Sequence, residues 1–327
     1  MTFASRTLGY SRNLITYTFG GDTSNVSFDV TSGSVPPGTG SSVVGTYVAG
    51  STDVNIIIGN GVYIYSTVVT TPALTLTGGT GADKITLTNN GYIMGCGGKG
   101  GGSNGAATTY LVPTAGGTAL KIGFSNTEIV NASSRYILGG GGGGGGGGPA
   151  AGNPTQGGGG GAGGGVGGTT YDGTTLTAGG AAGSIGGSGT SGTVASIYSS
   201  GGGAGRTVPG LSILQNCPSG STFGGPGGQA GGGGAIRSVI VSCGGGGGGG
   251  YGATGGSGIL WNNASATSAQ GGMGEASGNA GTAPTVTGGT ATVTNTYTGA
   301  VGGKAIDYNS VSGIIITNSG TIYGVTA

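Results

Sequence analysis

The sequence contains no histidine and few charged side chains: nine Lys and Arg stand against eight Asp and Glu in 327 residues. Without His, neither a Ser–His nor a Cys–His nucleophile pair can be built, and the commonest metal ligand is missing. A formal net charge of +1 gives no basic surface for nucleic acid. We therefore expect a protein that is not an enzyme, with no cofactor, no metal and no nucleic-acid partner.

Long apolar runs and a cysteine framework are also missing. No stretch approaches the ~18 consecutive apolar residues of a membrane-spanning helix, so we expect no membrane insertion. The N-terminus lacks the apolar run of a secretory signal, which predicts synthesis in a reducing cytosol. Three cysteines, Cys96, Cys217 and Cys243, are an odd number without C-x-x-C spacing, which does not indicate a disulfide framework.

Glycine dominates instead, with 91 of 327 residues, roughly four times average usage. Because Gly has no side chain to bury, an ordinary apolar core is impossible over much of the chain. The longest runs are Gly139–Gly148, Gly157–Gly161, Gly231–Gly234 and Gly244–Gly250. These and shorter runs alternate with mixed segments at 103–115, 149–156, 169–177, 193–200, 206–223, 259–270 and 282–298.

The Gly runs have two physical interpretations. They are either flexible linkers or a bundle of polyproline II-type helices with three residues per turn and about 3.1 Å rise per residue. Such helices lack internal hydrogen bonds, so their backbone groups must pair with neighbouring runs. The runs are nearly pure Gly, and the segments between them are rich in aliphatic and aromatic residues, as at Ile259–Trp261. Both features favour the bundle.

Outside the Gly runs the texture predicts β-structure. Segments rich in Val, Ile, Tyr and Thr, bounded by turn residues, predict strands at Leu14–Phe19, Asn25–Val30, Val43–Val48, Val54–Ile58 and Val62–Val69. Three later segments share a Gly-Gly lead, an apolar strand, an Asn-centred turn and a second strand, at 78–95, 116–140 and 302–324. TNNGYIMG and TNSGTIYG are similar enough to form an internal repeat of β-hairpin or β-arch units.

The fold class we predict is mostly β and irregular, with essentially no α-helix. An N-terminal β domain (1–77) is followed by the hairpin or arch repeats (78–138). A bundle, or sandwich, of polyglycine II-type helices (139–301) carries binding loops, and a C-terminal β repeat (302–327) ends the chain.

This organisation resembles the tail-fibre tip adhesins of T-even-like bacteriophages. The resemblance rests on SRNLITYTFGGDTSNVSFDV (11–30), on TNNGYIMG leading into Gly, and on Gly runs separated by variable loops. It implies a virion protein, made in the host cytoplasm, at the tip of the tail fibre, with the N-terminal β domain (1–77) as the candidate for attachment to the phage tail-fibre protein. It also implies loops that bind an outer-membrane protein or surface glycan of the bacterium. Members tend to carry a longer, Trp-bearing attachment segment, whereas the one Trp here is Trp261.

Aromatic residues in or beside the mixed segments are the receptor-binding candidates, since Tyr and Trp give large contact areas at low entropic cost. With two residues that would add directed hydrogen bonds, the candidates are Tyr171, Tyr198, Arg206, Phe223, Tyr251, Trp261 and Asn262. The alternative is that the aromatics cap the ends of the Gly bundle and shield its edges.

Two other function classes remain open. A phage polysaccharide depolymerase needs two carboxylates about 5–10 Å apart, and the acidic residues here are scattered without a paired motif. A structural or ice-binding Gly-rich protein would show regular short repeats, which the irregular runs and long loops do not provide.

Overall fold

The computed structural model describes residues 12–103, 110–147, 156–171, 176–181, 194–196, 199–200, 241–262, 268–270, 278–287, 292–308 and 311–327. The described residues contain no helix, as the fold-class prediction requires. In the first part of the chain the strands are β1 (Asn13–Phe19), β2 (Thr23–Ser24), β3 (Val26–Asp29), β4 (Ser42–Val44), β5 (Thr52–Ile58), β6 (Tyr63–Tyr65), β7 (Leu74–Thr77), β8 (Lys84–Asn89) and β9 (Tyr92–Met94).

The strands that follow are mostly shorter. Up to residue 200 they are β10 (Gly102–Ser103), β11 (Tyr110–Leu111), β12 (Leu120–Ile122), β13 (Thr127–Asn131), β14 (Tyr136–Leu138), β15 (Thr170–Tyr171), β16 (Leu176–Thr177), β17 (Val194–Ser196) and β18 (Ser199–Ser200). The remainder are β19 (Val241–Gly244), β20 (Gly258–Asn262), β21 (Ser268–Gln270), β22 (Thr285–Thr287), β23 (Thr292–Tyr297), β24 (Ile306–Asp307), β25 (Ile315–Asn318) and β26 (Thr321–Tyr323).

Three sheets form a coil, which we call the β body. Sheet A has the order β25-β13-β8-β5-β1-β4, sheet B the order β2-β6-β9-β14-β26, and sheet C the order β24-β12-β7-β3. Neighbouring strands are parallel, except that β4 is antiparallel to β1. The chain visits sheets A, B and C in turn, so each circuit stacks on the previous one, as in a β-solenoid.

Alternation of side chains fills the coil. In β5 the residues Thr52, Val54, Ile56 and Ile58 are buried while those between them are half-exposed, the period of two that a strand imposes. Equivalent residues of successive circuits then stack directly, as Ile64, Ile93 and Ile137 do in sheet B. Burying each such side chain contributes about 1.5–3 kcal/mol, so the apolar core runs along the whole coil.

The three internal repeats are successive circuits of this coil. Each repeat has one strand in sheet A (β8, β13 or β25) followed by one in sheet B (β9, β14 or β26), and the second and third repeats begin with a strand of sheet C, β12 and β24. Successive strands of one repeat therefore lie in different sheets, which makes each repeat a β-arch and not a hairpin.

The predicted boundary between residues 77 and 78 falls inside this coil. Strand β8 lies beside β5 in sheet A, from Asp53↔Lys84 to Ile58↔Asn89, and β25 lies beside β13. Continuous sheets thus join the predicted N-terminal domain, the repeats and the C-terminal repeat, so we describe them as one body.

Glycine runs leave this body where strands of sheet B end. Strands β9 and β14 are followed by residues 95–103 and 139–147, and residues 139–147 are all buried. Their N–H groups donate in rotation to three other segments. Gly141 and Gly144 donate to Ala162 and Gly159, Gly142 and Gly145 to Ala253 and Gly256, and Gly140 and Gly143 to Gly117 and Thr114, at 2.8–3.1 Å.

The same run accepts hydrogen bonds from three further segments, through Gly98 and Gly101, Gly246 and Gly249, and Ala300 and Gly303. The run at 139–147 therefore turns by about a third of a circle per residue, the periodicity of polyproline II-type helices. This pattern and the burial of the run support the bundle over a flexible linker, while the helix type stays a prediction. We call these hydrogen-bonded Gly-rich segments, at 95–103, 114–117, 139–147, 157–168, 244–257 and 298–303, the glycine bundle.

Candidate functional site

The glycine bundle has one end against sheet B and another end away from it. At the sheet end, Gly139 donates to Tyr323 and Gly95 donates to Leu138. At the opposite end, Ser103 donates to Thr169 at 3.0 Å, and Gly147 forms a bridge with Gln156. We call this second end the far end. It includes the strands β10, β11, β15, β16, β19, β20 and β23.

Short antiparallel strands grow out of the far end. Thr170–Tyr171 pairs with Leu176–Thr177, and β20 pairs with β19 on one side and β23 on the other. Mixed segments that the sequence marked as loops thus leave the glycine bundle as ribbons whose bases are held by backbone hydrogen bonds. A rigid scaffold that presents loops is the usual arrangement for binding.

Three predicted contact residues lie on these ribbons. Tyr171 is half-buried in β15, opposite Leu176. Trp261 and Asn262 are the last two residues of β20, in register with Ser242 and Val241 of β19. Tyr198, Arg206 and Phe223 lie outside the described residues.

Tyr251 requires a correction. Its side chain is fully buried, together with Met94, Leu138 and Ala162, where the glycine bundle meets sheet B. It therefore cannot face a receptor, and its position corresponds to the alternative that an aromatic caps the Gly runs. The sequence placed it beside a Gly run correctly but could not tell which end of the run it occupies.

The far end also contains aromatic residues that sequence reasoning passed over. The rings of Tyr110 and Tyr297 lie 4.6 Å apart, and the Tyr110 hydroxyl accepts a hydrogen bond from the Gly146 N–H at 3.3 Å. Burial, offset in part by that hydrogen bond and reinforced by Tyr297, raises the pKa of Tyr110 to about 12. Both residues fall within predicted mixed segments, which was the available signal.

Exposed groups at the far end are apolar or neutral polar. Leu176 and Val293 are each 51% exposed, and β23 is a Thr-rich strand with five of its six residues exposed. None of the described residues of the far-end ribbons is charged. Such a surface is suited to apolar contact and to hydrogen bonding through hydroxyl, amide and backbone groups.

The described acidic residues have structural roles in the β body. Asp53 pairs with Arg12 at 2.6 Å, Asp307 with Lys304 at 3.0 Å and Glu128 with Lys84 at 3.8 Å. Asp22 and Asp29 accept backbone N–H bonds from Tyr63 and Thr31. Over the part of the chain that the structure describes, no group of acidic or cysteine residues is arranged to hold a metal ion.

Asp83 connects circuits of the β body. Its carboxylate is fully buried and accepts hydrogen bonds from the Tyr47 hydroxyl at 2.7 Å, from Thr80 N–H at 2.8 Å and from Thr52 N–H at 3.2 Å. Burial alone would raise its pKa, but these hydrogen bonds outweigh it and lower the pKa. Burial and the same contact raise the pKa of Tyr47 to about 12.

These features define a β body that holds a glycine-rich bundle and ribbons whose described residues carry no charge, an architecture for recognition. A comparison with known protein families also indicates a recognition protein. The model of the phage tail fibre adhesin Gp38 family matches residues 15–231, about two thirds of the chain, and the chain belongs to that family. It is a receptor-binding adhesin of a phage tail fibre, as the sequence predicted.

A solved structure is also similar. The crystal structure of the gp37-gp38 adhesin tip complex of the bacteriophage S16 long tail fiber matches with 21% sequence identity and a TM-score of 0.43. The match covers 85% of this chain and 72% of that chain. A search of curated proteins found no match. No described helix is long and apolar enough to cross a membrane.

Proposed function

We propose that the far end of the glycine bundle binds the bacterial receptor, with Tyr171, Trp261 and Asn262 among the contact residues. The observation that carries this proposal is the emergence of the antiparallel ribbons from one end of a scaffold whose other end is fixed to the β body. Tyr198, Arg206 and Phe223 stay predictions of the same kind. The protein acts by binding alone, at the tip of the fibre.

The receptor is an outer-membrane protein or surface glycan, contacted by the aromatic, aliphatic and neutral polar residues of the described ribbons. Aromatic and aliphatic side chains supply contact area, and exposed Thr and Asn groups supply directed hydrogen bonds. Weak contacts of several fibres on one virion add by avidity.

The first test is binding of the labelled, purified chain to a panel of Gram-negative strains, with polysaccharide release assayed in the same wells. We expect saturable binding to some strains and no release of sugar. Release of sugar would contradict the proposal and indicate a depolymerase. If neither binding nor release of sugar is observed, the structural or ice-binding alternative is favoured.

A matched pair of variants tests the location. Val293→Ser changes an exposed apolar side chain at the far end, and Val44→Ser changes one at the edge of sheet A that is 70% exposed. We expect V293S to weaken cell binding about tenfold, as removal of an interface anchor does, and V44S to bind like the parent. Equal binding by both variants would place the receptor surface elsewhere.

A further inference from the structure

The two ends of the β body are closed differently. At the first circuit, β4 lies antiparallel to β1, with Val44 in register with Thr16. At the last circuit, residues 325–327 cover sheet C, because the Ala327 N–H donates to the Ile306 carbonyl at 3.1 Å. In sheet A the last strand is β25, and no described residue pairs with its outer edge.

The core is open at this edge. Ile316 is in register with Ile129, and Ile322 with Ile137. Ile129 and Ile137 are fully buried, whereas Ile316 and Ile322 are only partly buried. The final apolar layer of the coil thus lacks the neighbour that every earlier layer has.

A ladder of asparagine side chains ends at the same place. Asn89 Nδ2 donates to Asn131 Oδ1, and Asn131 Nδ2 donates to Asn318 Oδ1, both at 2.8 Å. Asn318 Oδ1 also accepts the Gly320 N–H at 3.2 Å. Asn318 is exposed. An asparagine or other acceptor in the same register of a following strand would receive a hydrogen bond from the Asn318 Nδ2.

The sequence of this edge does not discourage pairing. Soluble proteins protect exposed edge strands with charged residues, especially Lys, or with Pro. Residues 308–327 contain neither a charged residue nor a proline. A solvated edge of this composition would be an aggregation site, so we expect another polypeptide strand to cover it.

We propose that a strand of the phage's tail-fibre protein adds to the outer edge of β25, parallel to it, so that it receives the Asn318 hydrogen bond and covers Ile316. This inference rests on the tail-fibre role above, because a tail-fibre adhesin must be held by a fibre. A second copy of the chain fits less well. Edges related by a two-fold axis run antiparallel, which would not continue the in-register asparagine ladder.

The test replaces one amide. Asn318→Asp keeps an oxygen for the hydrogen bonds from Asn131 and Gly320 but removes the donor and adds a charge at the edge. Asn55→Asp makes the same change on the outer face of β5, away from the edge. With the tail-fibre protein of the same phage co-expressed as the probe, we expect N318D to lose fibre affinity about tenfold or more and N55D to keep it.

A second edge variant guards against misfolding of the first. Thr317 is exposed, so Thr317→Lys introduces an edge charge without burying it, and thermal unfolding is measured for each variant. Fibre binding of both folded edge variants at the parental level would overturn the inference. So would parental dimers that N318D dissociates, since the occupant would then be a second copy.

Receptor binding distinguishes the two proposals. Free N318D should bind host cells like the parent, because β25 lies in the β body and not at the far end. A parent that binds the fibre but no cells would contradict the proposed function while leaving this inference intact.

Discussion

At the scale of the residue, the absence of a side chain is the structural requirement in the glycine bundle. A Cβ placed on Gly143 would overlap the carbonyl oxygen of Lys99, and the Gly143 N–H is bonded to Thr114. The backbone is held by neighbouring runs, so it cannot move to make room. Adding a methyl group to an interior packed this closely destabilises the fold.

We predict that Gly143→Ala destabilises the chain by about 1–3 kcal/mol, the usual cost of overpacking. Gly81→Ala is the control, since a Cβ there meets nothing within 4 Å and should change stability by less than about 0.5 kcal/mol. Denaturant unfolding of both variants measures the difference, and a similar small effect for both would show that the bundle is loosely packed.

A second residue-scale prediction concerns pH. Because the pKa of Asp83 is lowered in the folded chain, its carboxylate stabilises the fold at neutral pH and above its ordinary pKa of 3.8. That contribution is lost as the pH falls below this value through the folded pKa. We therefore expect the urea concentration at the midpoint of unfolding to decrease as the pH is lowered below 3.8.

Asp83→Asn is the comparison for that experiment. It should be less stable than the parent at pH 7, because an amide cannot accept all the hydrogen bonds of the carboxylate, and its midpoint should vary less with acid. An unchanged acid dependence would assign the effect to other carboxylates.

At the scale of the element, stacking of like on like organises the β body. Tyr63, Tyr92 and Tyr136 occupy one register position of sheet B, with ring centroids 4.4 and 5.7 Å apart. Ile64, Ile93 and Ile137 form a second ladder in sheet B, and the asparagine ladder lies in sheet A. Each ladder fixes the register of parallel strands, because a shift by one residue would move its members to the opposite face.

At the far end, the rings of Tyr110 and Tyr297 are also in contact. The Tyr110 hydroxyl, which accepts the Gly146 N–H, offers a test of this contact. We predict that Tyr110→Phe keeps the ring contact and destabilises the chain by about 0.5–1.5 kcal/mol, the net value of one hydrogen bond. Because the pKa of Tyr110 is raised to about 12, its contribution persists below pH 10 and is lost as the pH rises towards 12.

Absorbance titration of tyrosinate measures that shift. The parent should show one more late-ionising tyrosine than Y110F, while Tyr47 ionises late in both. Identical titration curves near pH 12 would show that Tyr110 is open to solvent.

At the scale of the whole molecule, the sequence predicted composition-driven features well and long-range pairing poorly. The absence of helix from the described residues, five of the seven strands before residue 78 and the repeat shared by TNNGYIMG and TNSGTIYG could be predicted, because alternation and turn residues are local. Strands β2 and β7 were not predicted. The coil could not be predicted, since partners such as Asn131 and Asn318 are 187 residues apart. The burial of Tyr251 likewise depends on packing between the bundle and sheet B.

Division of labour between body, bundle and ribbons gives the largest-scale prediction. Exchange of segments 206–223 and 259–270 for those of a related adhesin should change host range without changing folding. The described residues of 259–270 lie in ribbon strands and not in the coil, and 206–223, which lies outside the described residues, is a predicted binding loop between Gly runs. Plating efficiency on a strain panel measures the result, with thermal unfolding as the control. An unchanged host range after both exchanges would contradict the choice of segments.

The threefold rotation of hydrogen bonds in the glycine bundle has an arithmetic consequence for evolution. Insertion or deletion of three glycines shifts a run by one complete turn and returns every later residue to the same neighbour. A change of one or two glycines instead points each later N–H at the wrong segment. Length differences within these runs should therefore occur in multiples of three codons, so that the gene can vary the height of its ribbons in steps of about 9 Å.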